Sequence, residues 1–257
     1  MIKNSRKGVI YIKELTLIEY LHDKDVMVCN RTFNNLFSED ESYIYNQIIT
    51  ANGLHKILMG YYINSSTRIN STIGKRIEKT KVTLKRLEEE LRRSEDKDNK
   101  DLINYFLLEN GETLIKKVKE GLRNFENIDY RELIRRSMRK NEICLGKIDE
   151  SNLRIRESIE VGRLKYISYN LVEEDIYCYL NRINNKDNIG KYIDFYINIA
   201  RLSDNSKQYI LALMSIPMNT LKWFRRYKKH ETEYNSKELN KILDNMQDAY
   251  NREVLEG

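Results

Sequence analysis

Apolar positions recur at helical spacing over most of the chain and at every second position over one short stretch. Ser38-Glu39-Asp40-Glu41 offers a cap and an acidic first turn, and Ile44, Ile48, Ile49, Leu54 and Leu58 follow at helical intervals, which predicts a helix there. Ile73, Ile77, Leu84, Leu87 and Leu91 keep the same period. Lys75, Arg76, Lys79, Lys85, Arg86 and Glu88 to Glu90 surround them, so this helix is expected to turn a mixed-charge face to solvent. The polar stretch Ser94 to Lys100 interrupts the pattern. Further helical segments are read at Leu102 to Leu108, Leu114 to Phe125 and Tyr130 to Lys140. Five more close the chain, at Asp175 to Ile183, Tyr192 to Leu202, Lys207 to Ser215, Asn219 to Lys229 and Lys237 to Tyr250.

Two places depart from this texture. Gly8-Val9-Ile10-Tyr11-Ile12 is rich in β-branched and aromatic side chains and reads as a strand followed by turn-like polar residues. Between Glu142 and Tyr169 the period falls towards two. Leu153 and Ile155, then Leu164 and Tyr166, alternate with Arg154, Arg156, Arg163 and Lys165, which predicts a hairpin turning near Gly162. The fold class expected is mostly α (α+β), with helices around one short hairpin.

Composition sharpens the picture. Ten glycines and one proline in 257 residues are about a third of ordinary usage and argue against turn-dense sandwiches. Lysine plus arginine exceeds aspartate plus glutamate by 45 − 39 = 6, a surplus spread thinly among charged residues that make up 33% of the chain. The apolar stretch Val9 to Ile12 is too short for a signal-peptide core. The longest apolar run, Tyr209 to Met218, is interrupted by Ser215 and Pro217, so no membrane span is expected. Cys29, Cys144 and Cys178 share no metal-ligand or redox spacing, and a reduced, cytoplasmic chain is the expectation.

One ordered set of residues carries a resemblance. Cys144-Leu145-Gly146-Lys147 is followed after four residues by Asn152, and then by Ile167-Ser168-Tyr169. This resembles the catalytic loop of the aminoglycoside-phosphotransferase-like kinases, and especially of the spore coat kinase-like (CotS) family. There the loop reads Cys-His-Gly-Asp, four residues, Asn, with a hairpin ending in Ile-Asp-Phe. Asp175-Ile176-Tyr177-Cys178-Tyr179-Leu180 is similar to the helix start that follows in that family, where the aspartate is structural. Pro217 with Lys222-Trp223-Phe224, and Leu54-His55-Lys56 with Gly60-Tyr61-Tyr62, are similar to its closing helices and to an upstream helix end.

The resemblance implies a protein-kinase-like C-lobe over residues 46–257, with 1–45 as a remnant N-lobe strand and hinge. It also implies that the N-lobe is reduced or missing, since no Gly-x-Gly-x-x-Gly occurs. Leu145, Lys147, Asn152 and Ser168 then occupy positions that in active kinases carry the loop and magnesium-binding groups. Lysine has no acceptor lone pair and repels a divalent cation, and Ser168 offers one neutral oxygen where a carboxylate belongs. The expectation is therefore a pseudokinase, not an enzyme, without metal or cofactor. The resemblance further implies a scaffold that binds other spore coat proteins and is made in the mother cell.

Other readings stay open beside this one. Lys147 either pairs with Glu142 or Asp149 or meets a nucleotide phosphate, and Asp149 and Glu150 are expected to be solvated. Trp223, Arg225, Arg226, Lys228 and Lys229 form a possible interaction surface. As an alternative to the scaffold, they could serve a basic helical module that binds RNA or another polyanion. The competing reading of that segment is core packing with a solvated basic edge. His55 is expected to pack at a helix end.

Overall fold

The computed structural model describes residues 16–34, 38, 40–61, 69–96, 102–183, 187–230 and 236–255. The strand expected at Gly8 to Ile12 lies outside them. The turn-like segment expected next contains α1 (Leu17–Asp23) and β1 (Val26–Val28). A capping box starts α1: the Glu19 amide donates to Thr16 Oγ1 at 3.3 Å and the Thr16 amide to Glu19 Oε2 at 2.8 Å. Seven residues are too few to show a helical period, but Thr16-x-x-Glu19 is a readable start signal.

From there the helical reading holds closely. Asp40 caps α2 (Glu41–Leu58) by accepting from the Tyr43 amide. The helix α3 (Lys75–Asp96) runs on through Ser94, whose buried hydroxyl bonds the Glu90 carbonyl at 2.8 Å and Asn104 Oδ1 at 2.7 Å. The two segments expected after it are one helix, α4 (Leu102–Arg123). Gly111 in its middle is a packing site, since a Cβ there would stand 3.1 Å from Leu91 of α3. Next come α5 (Tyr130–Lys140), α6 (Glu173–Leu180), α7 (Ile189–Ala200), α8 (Asp204–Met214), α9 (Met218–His230) and α10 (Ser236–Tyr250). A π-helical turn, Asn251–Leu255, follows. Its Glu253 carboxylate accepts the Asn219 and Thr220 amides at 3.0 and 2.9 Å and so caps α9.

The strands between α5 and α6 form two small sheets. β3 (Leu153–Ile155) and β4 (Ile159–Val161) make the expected hairpin, with Leu153 opposite Val161, and β1 adds to β4 in parallel. β2 (Ile143–Cys144) and β5 (Ser168–Tyr169) pair antiparallel as a second ribbon. The turn of the hairpin lies at residues 156–158 and not near Gly162. Gly162 instead marks a close approach: a Cβ would stand 2.6 Å from the Arg31 carbonyl and 2.8 Å from Asn152 Oδ1. The apolar residues read as its second strand, Leu164 and Tyr166, lie instead in a turn closed by the Ile167 amide on the Leu164 carbonyl, with Leu164 half-buried and Tyr166 exposed.

One apolar cluster joins Leu21 and Val26 to Ile48 and Leu54 of α2, Leu153 and Val161 of the hairpin, Ile176 of α6, and Phe224 and Met246 of α9 and α10. Among the described residues no helix is long and apolar enough to cross a membrane. Cys29, Cys144 and Cys178 are free thiols.

Candidate functional site

The loop from β2 to β3 is held at almost every residue by groups from other elements. Asp175, in the first turn of α6, accepts the Leu145 amide at 2.8 Å and the Gly146 amide at 2.9 Å. The same carboxylate lies 3.0 Å from His55 Nε2, and both side chains are buried. An ionised carboxylate only accepts, so Nε2 carries the hydrogen; Nδ1 has no partner among the described residues. Gly146 has φ +77°, and a Cβ on it would meet the Tyr166 carbonyl at 2.5 Å, so only glycine fits. Gln47, buried on α2, donates to the Ile148 and Leu153 carbonyls at 2.5 and 2.9 Å. His55 does sit in the last turn of α2, and Asp175 is structural, as the resemblance implies.

Asp149 and Glu150 are not solvated. They are 6% and 1% exposed because the loop folds them under α6. Asp149 accepts from the Ser151 amide at 3.0 Å and pairs with Arg182 at 2.5 Å. Glu150 accepts from the Tyr179 hydroxyl at 2.9 Å, and burial holds its carboxyl above the usual glutamate range. Behind the loop, Arg136 of α5 forks onto two buried carboxylates, Glu142 at 2.9 and 3.0 Å and Glu173 at 2.8 Å twice, and also donates to Ser206. Burial raises Glu142 as well, against the pull of Arg136.

The residues singled out on the sequence fall into two groups. Asn152 donates to the Lys147 carbonyl at 2.9 Å, and its Oδ1 accepts the Arg163 amide at 2.7 Å, so these three meet at the end of the hairpin. The Leu145 side chain is core. Ser168 stands elsewhere, on β5, with its hydroxyl 2.8 Å from that of Thr72. The residue after the hairpin that touches Asn152 is therefore Arg163, which sequence reading misses because it places the turn too late, on the way to Ser168. Lys147 Nζ lies 3.8 Å from Asp149, one of the two pairings left open. This set does not fit a magnesium ion. Lys147 has no lone pair, Asn152 Oδ1 is already engaged, and the described residues contain no group of three or more His, Cys, Asp or Glu placed to hold a metal.

Beside the loop lies a cleft of about 840 Å³, walled by α3, α6, α9 and by Gly146 and Ser168. Lys75, Arg76, Lys79, Arg182, Lys222 and Arg225 line it against two carboxylates, Glu174 and Asp175. Both carboxylates are spent. Asp175 holds the loop, and Glu174 accepts Arg76 Nε at 2.5 Å and the Tyr209 hydroxyl at 2.7 Å. Arg225 donates to Thr83 Oγ1 at 3.2 Å. The nearby Arg225 charge, helped by burial, depresses the Lys79 ammonium, while burial and then Arg76 depress the Arg225 guanidinium.

The basic face of α3 thus walls a cavity, contrary to the expectation of a merely solvated surface. Lys75 and Lys79, four apart with Arg76 beside them, share one side of the helix, and that spacing is the available signal. On α9, Leu221, Phe224 and Tyr227 are core, as the packing reading has it. Trp223 and Arg225 face the cleft, and Lys222 and Arg226 stand 5.6 and 5.2 Å from the Trp223 ring. Lys228 reaches Glu90 of α3 at 3.1 Å, while Lys229 is exposed.

No family model matches the chain, and no curated protein sequence matches it. Among solved structures it is similar to an aminoglycoside phosphotransferase from Alicyclobacillus acidocaldarius, with a TM-score of 0.60 at 12% identity over 82% of this chain. The chain spans 63% of that protein's length. This corrects the expectation that the chain is no enzyme: a solved protein similar to it in fold is a phosphotransferase, and a reversed charge at one loop position speaks for one group only. The likeness is one of fold, and it makes the fold of this chain α-rich and kinase-like.

Proposed function

We propose that this chain is a phosphotransferase-type protein that takes a small ligand into the cleft, reacting end towards Gly146, and nucleotide phosphate at Lys147. The observation that carries the reading is that the cleft opens onto the caged loop, with Gly146 in its wall. Lys147 is 39% exposed and offers a compact positive charge to a phosphate, as lysine does in other phosphate sites. It cannot accept a proton, and Asp149 beside it is already tied to Arg182 and Ser151.

Within this proposal residues 46–257 form the helical lobe, and the segment before them is joined to it by the pairing of β1 with β4. Kinship with the spore coat kinase-like family, and assembly with coat proteins in the mother cell, belong to the same proposal and rest on the order of Gly146, Asn152, Asp175 and Pro217 along the chain.

Thermal unfolding with ATP tests the central reading. ATP is expected to raise the unfolding temperature without any added metal, and Lys147→Ala to remove that shift. A wild-type chain indifferent to ATP, or a shift that survives Lys147→Ala, overturns it.

A further inference from the structure

Resting on the reading of the cleft as the ligand site, we propose that its ligand is a small molecule with at least two negative charges at one end, of the phosphate or diphosphate class. The charges in the wall lead there. Among the described residues six cationic side chains line the cavity; Arg182 is paired with Asp149, and the two carboxylates in the wall are committed to Arg76, Tyr209 and the loop amides. Among the described residues Lys75, Lys79, Lys222 and Arg225 have no carboxylate within ion-pair distance.

Placement adds to the surplus of charge. Arg225 is half-buried in the wall, and the acceptor it meets there, Thr83 Oγ1, is a neutral oxygen serving a group with five N–H donors. Arg76, Lys79 and Arg225 come from two helices and line the same cleft, and among the described residues only Arg76 of the three meets a carboxylate, that of Glu174. Arg225 depresses the Lys79 ammonium, and burial followed by Arg76 depresses the Arg225 guanidinium, in keeping with a crowding of like charges there. An entering dianion would relieve it, and a guanidinium fork suits the geometry of phosphate oxygens. About 840 Å³ is the size of a small-molecule site, and Trp223 supplies an aromatic wall for the rest of the ligand. A polycation such as an aminoglycoside would meet its own sign here. An RNA strand would instead engage the outer residues Arg226 and Lys229, which are exposed.

Calorimetric titration of the full chain with inorganic pyrophosphate at low salt tests the inference. Saturable one-to-one binding is expected. Lys79→Gln and Arg225→Gln should each weaken it about tenfold, the loss of one charged hydrogen bond, and Arg225→Lys should weaken it less. Arg226→Gln and Lys229→Gln, exposed and outside the cleft, should leave it unchanged, with all variants unfolding cooperatively. No saturable binding by the wild-type chain overturns the inference, as does tighter binding of kanamycin. A loss caused by Arg226→Gln or Lys229→Gln instead of by Lys79→Gln and Arg225→Gln also overturns it. If ATP fails to engage Lys147 while pyrophosphate behaves as expected, the phosphotransferase reading falls and the anion site stands. If ATP engages Lys147 while pyrophosphate does not bind, the anion site falls and the phosphotransferase reading stands.

Discussion

The two walls that meet at Gly146 treat charge in opposite ways. Behind the loop, Asp175, Glu142, Glu173 and Arg136 are buried or nearly so, and each is matched by hydrogen bonds to its neighbours. Across the cleft, Lys79 and Arg225 stand together with like sign and no carboxylate between them. Buried charge costs several kcal/mol per ion unless it is paired, so the first wall exists only because its pairing is complete. The second stays half in water and can leave its charges unanswered at small cost. The first wall therefore reads as architecture, and the second as preparation for something that comes from solvent.

The most severe way to break this contrast is to remove a member of the paired wall. Asp175→Ala strands two loop amides and the buried His55, and should cost about 3–5 kcal/mol, a large share of the roughly 5–15 kcal/mol typical of a domain. Urea unfolding would show a lowered midpoint. Amide hydrogen exchange would show Leu145 and Gly146 losing protection before the helices do. A loss below about 1 kcal/mol would mean that the cage does not fix the loop.

A gentler probe uses pH. Burial raises the Glu150 carboxyl above its ordinary value of 4.5, so its contribution to stability is fully present below that value. The contribution is lost as pH rises through the raised folded value. Glutamine cannot titrate but can still accept from Tyr179. Glu150→Gln should therefore match the wild-type chain in acid and become the more stable of the two above pH 4.5, by about 1 kcal/mol or less at neutral pH. Stability curves measured from about pH 4 to about pH 7 would run parallel if the carboxyl were solvated, as the sequence alone suggests.

How much of this is legible in the sequence follows from what each feature depends on. The helices from α2 to α10 rest on a repeating apolar period, and α5 can be read to the residue because Asp129, Tyr130 and Asn141 punctuate it. The resemblance names Asp175 as structural, and its carboxylate does hold the Leu145 and Gly146 amides. What escapes depends on contacts between distant segments. Gly162 looks like a turn residue, yet it is glycine because Arg31 and Asn152 press on it from elsewhere. That confusion carries the end of the hairpin from Arg163 to Ser168. Asp149 and Glu150 look solvated because acids usually are, and nothing local reveals Arg182 or Tyr179 waiting above them. The cleft itself joins α3 to α9 across more than a hundred residues, a distance no periodicity reaches.

The smallest expected effect is the most discriminating, because its sign differs between the two walls. Deleting a cation from the paired wall must destabilise, whereas deleting Lys79 relieves repulsion from Arg225 and Arg76 and removes no ion pair. Lys79→Met should therefore raise the stability of the free protein by up to about 0.5 kcal/mol, the scale of an exposed position. The gain should be largest at low ionic strength and vanish near 1 M salt, where the screening length falls to about 3 Å. Lys85→Met, on the same helix but outside the cleft, supplies the control for the added apolar surface and should show no such salt dependence. A stabilisation common to both variants would trace to helix propensity and hydrophobicity. One confined to Lys79 and erased by salt would show that the cleft holds its charges against their own repulsion.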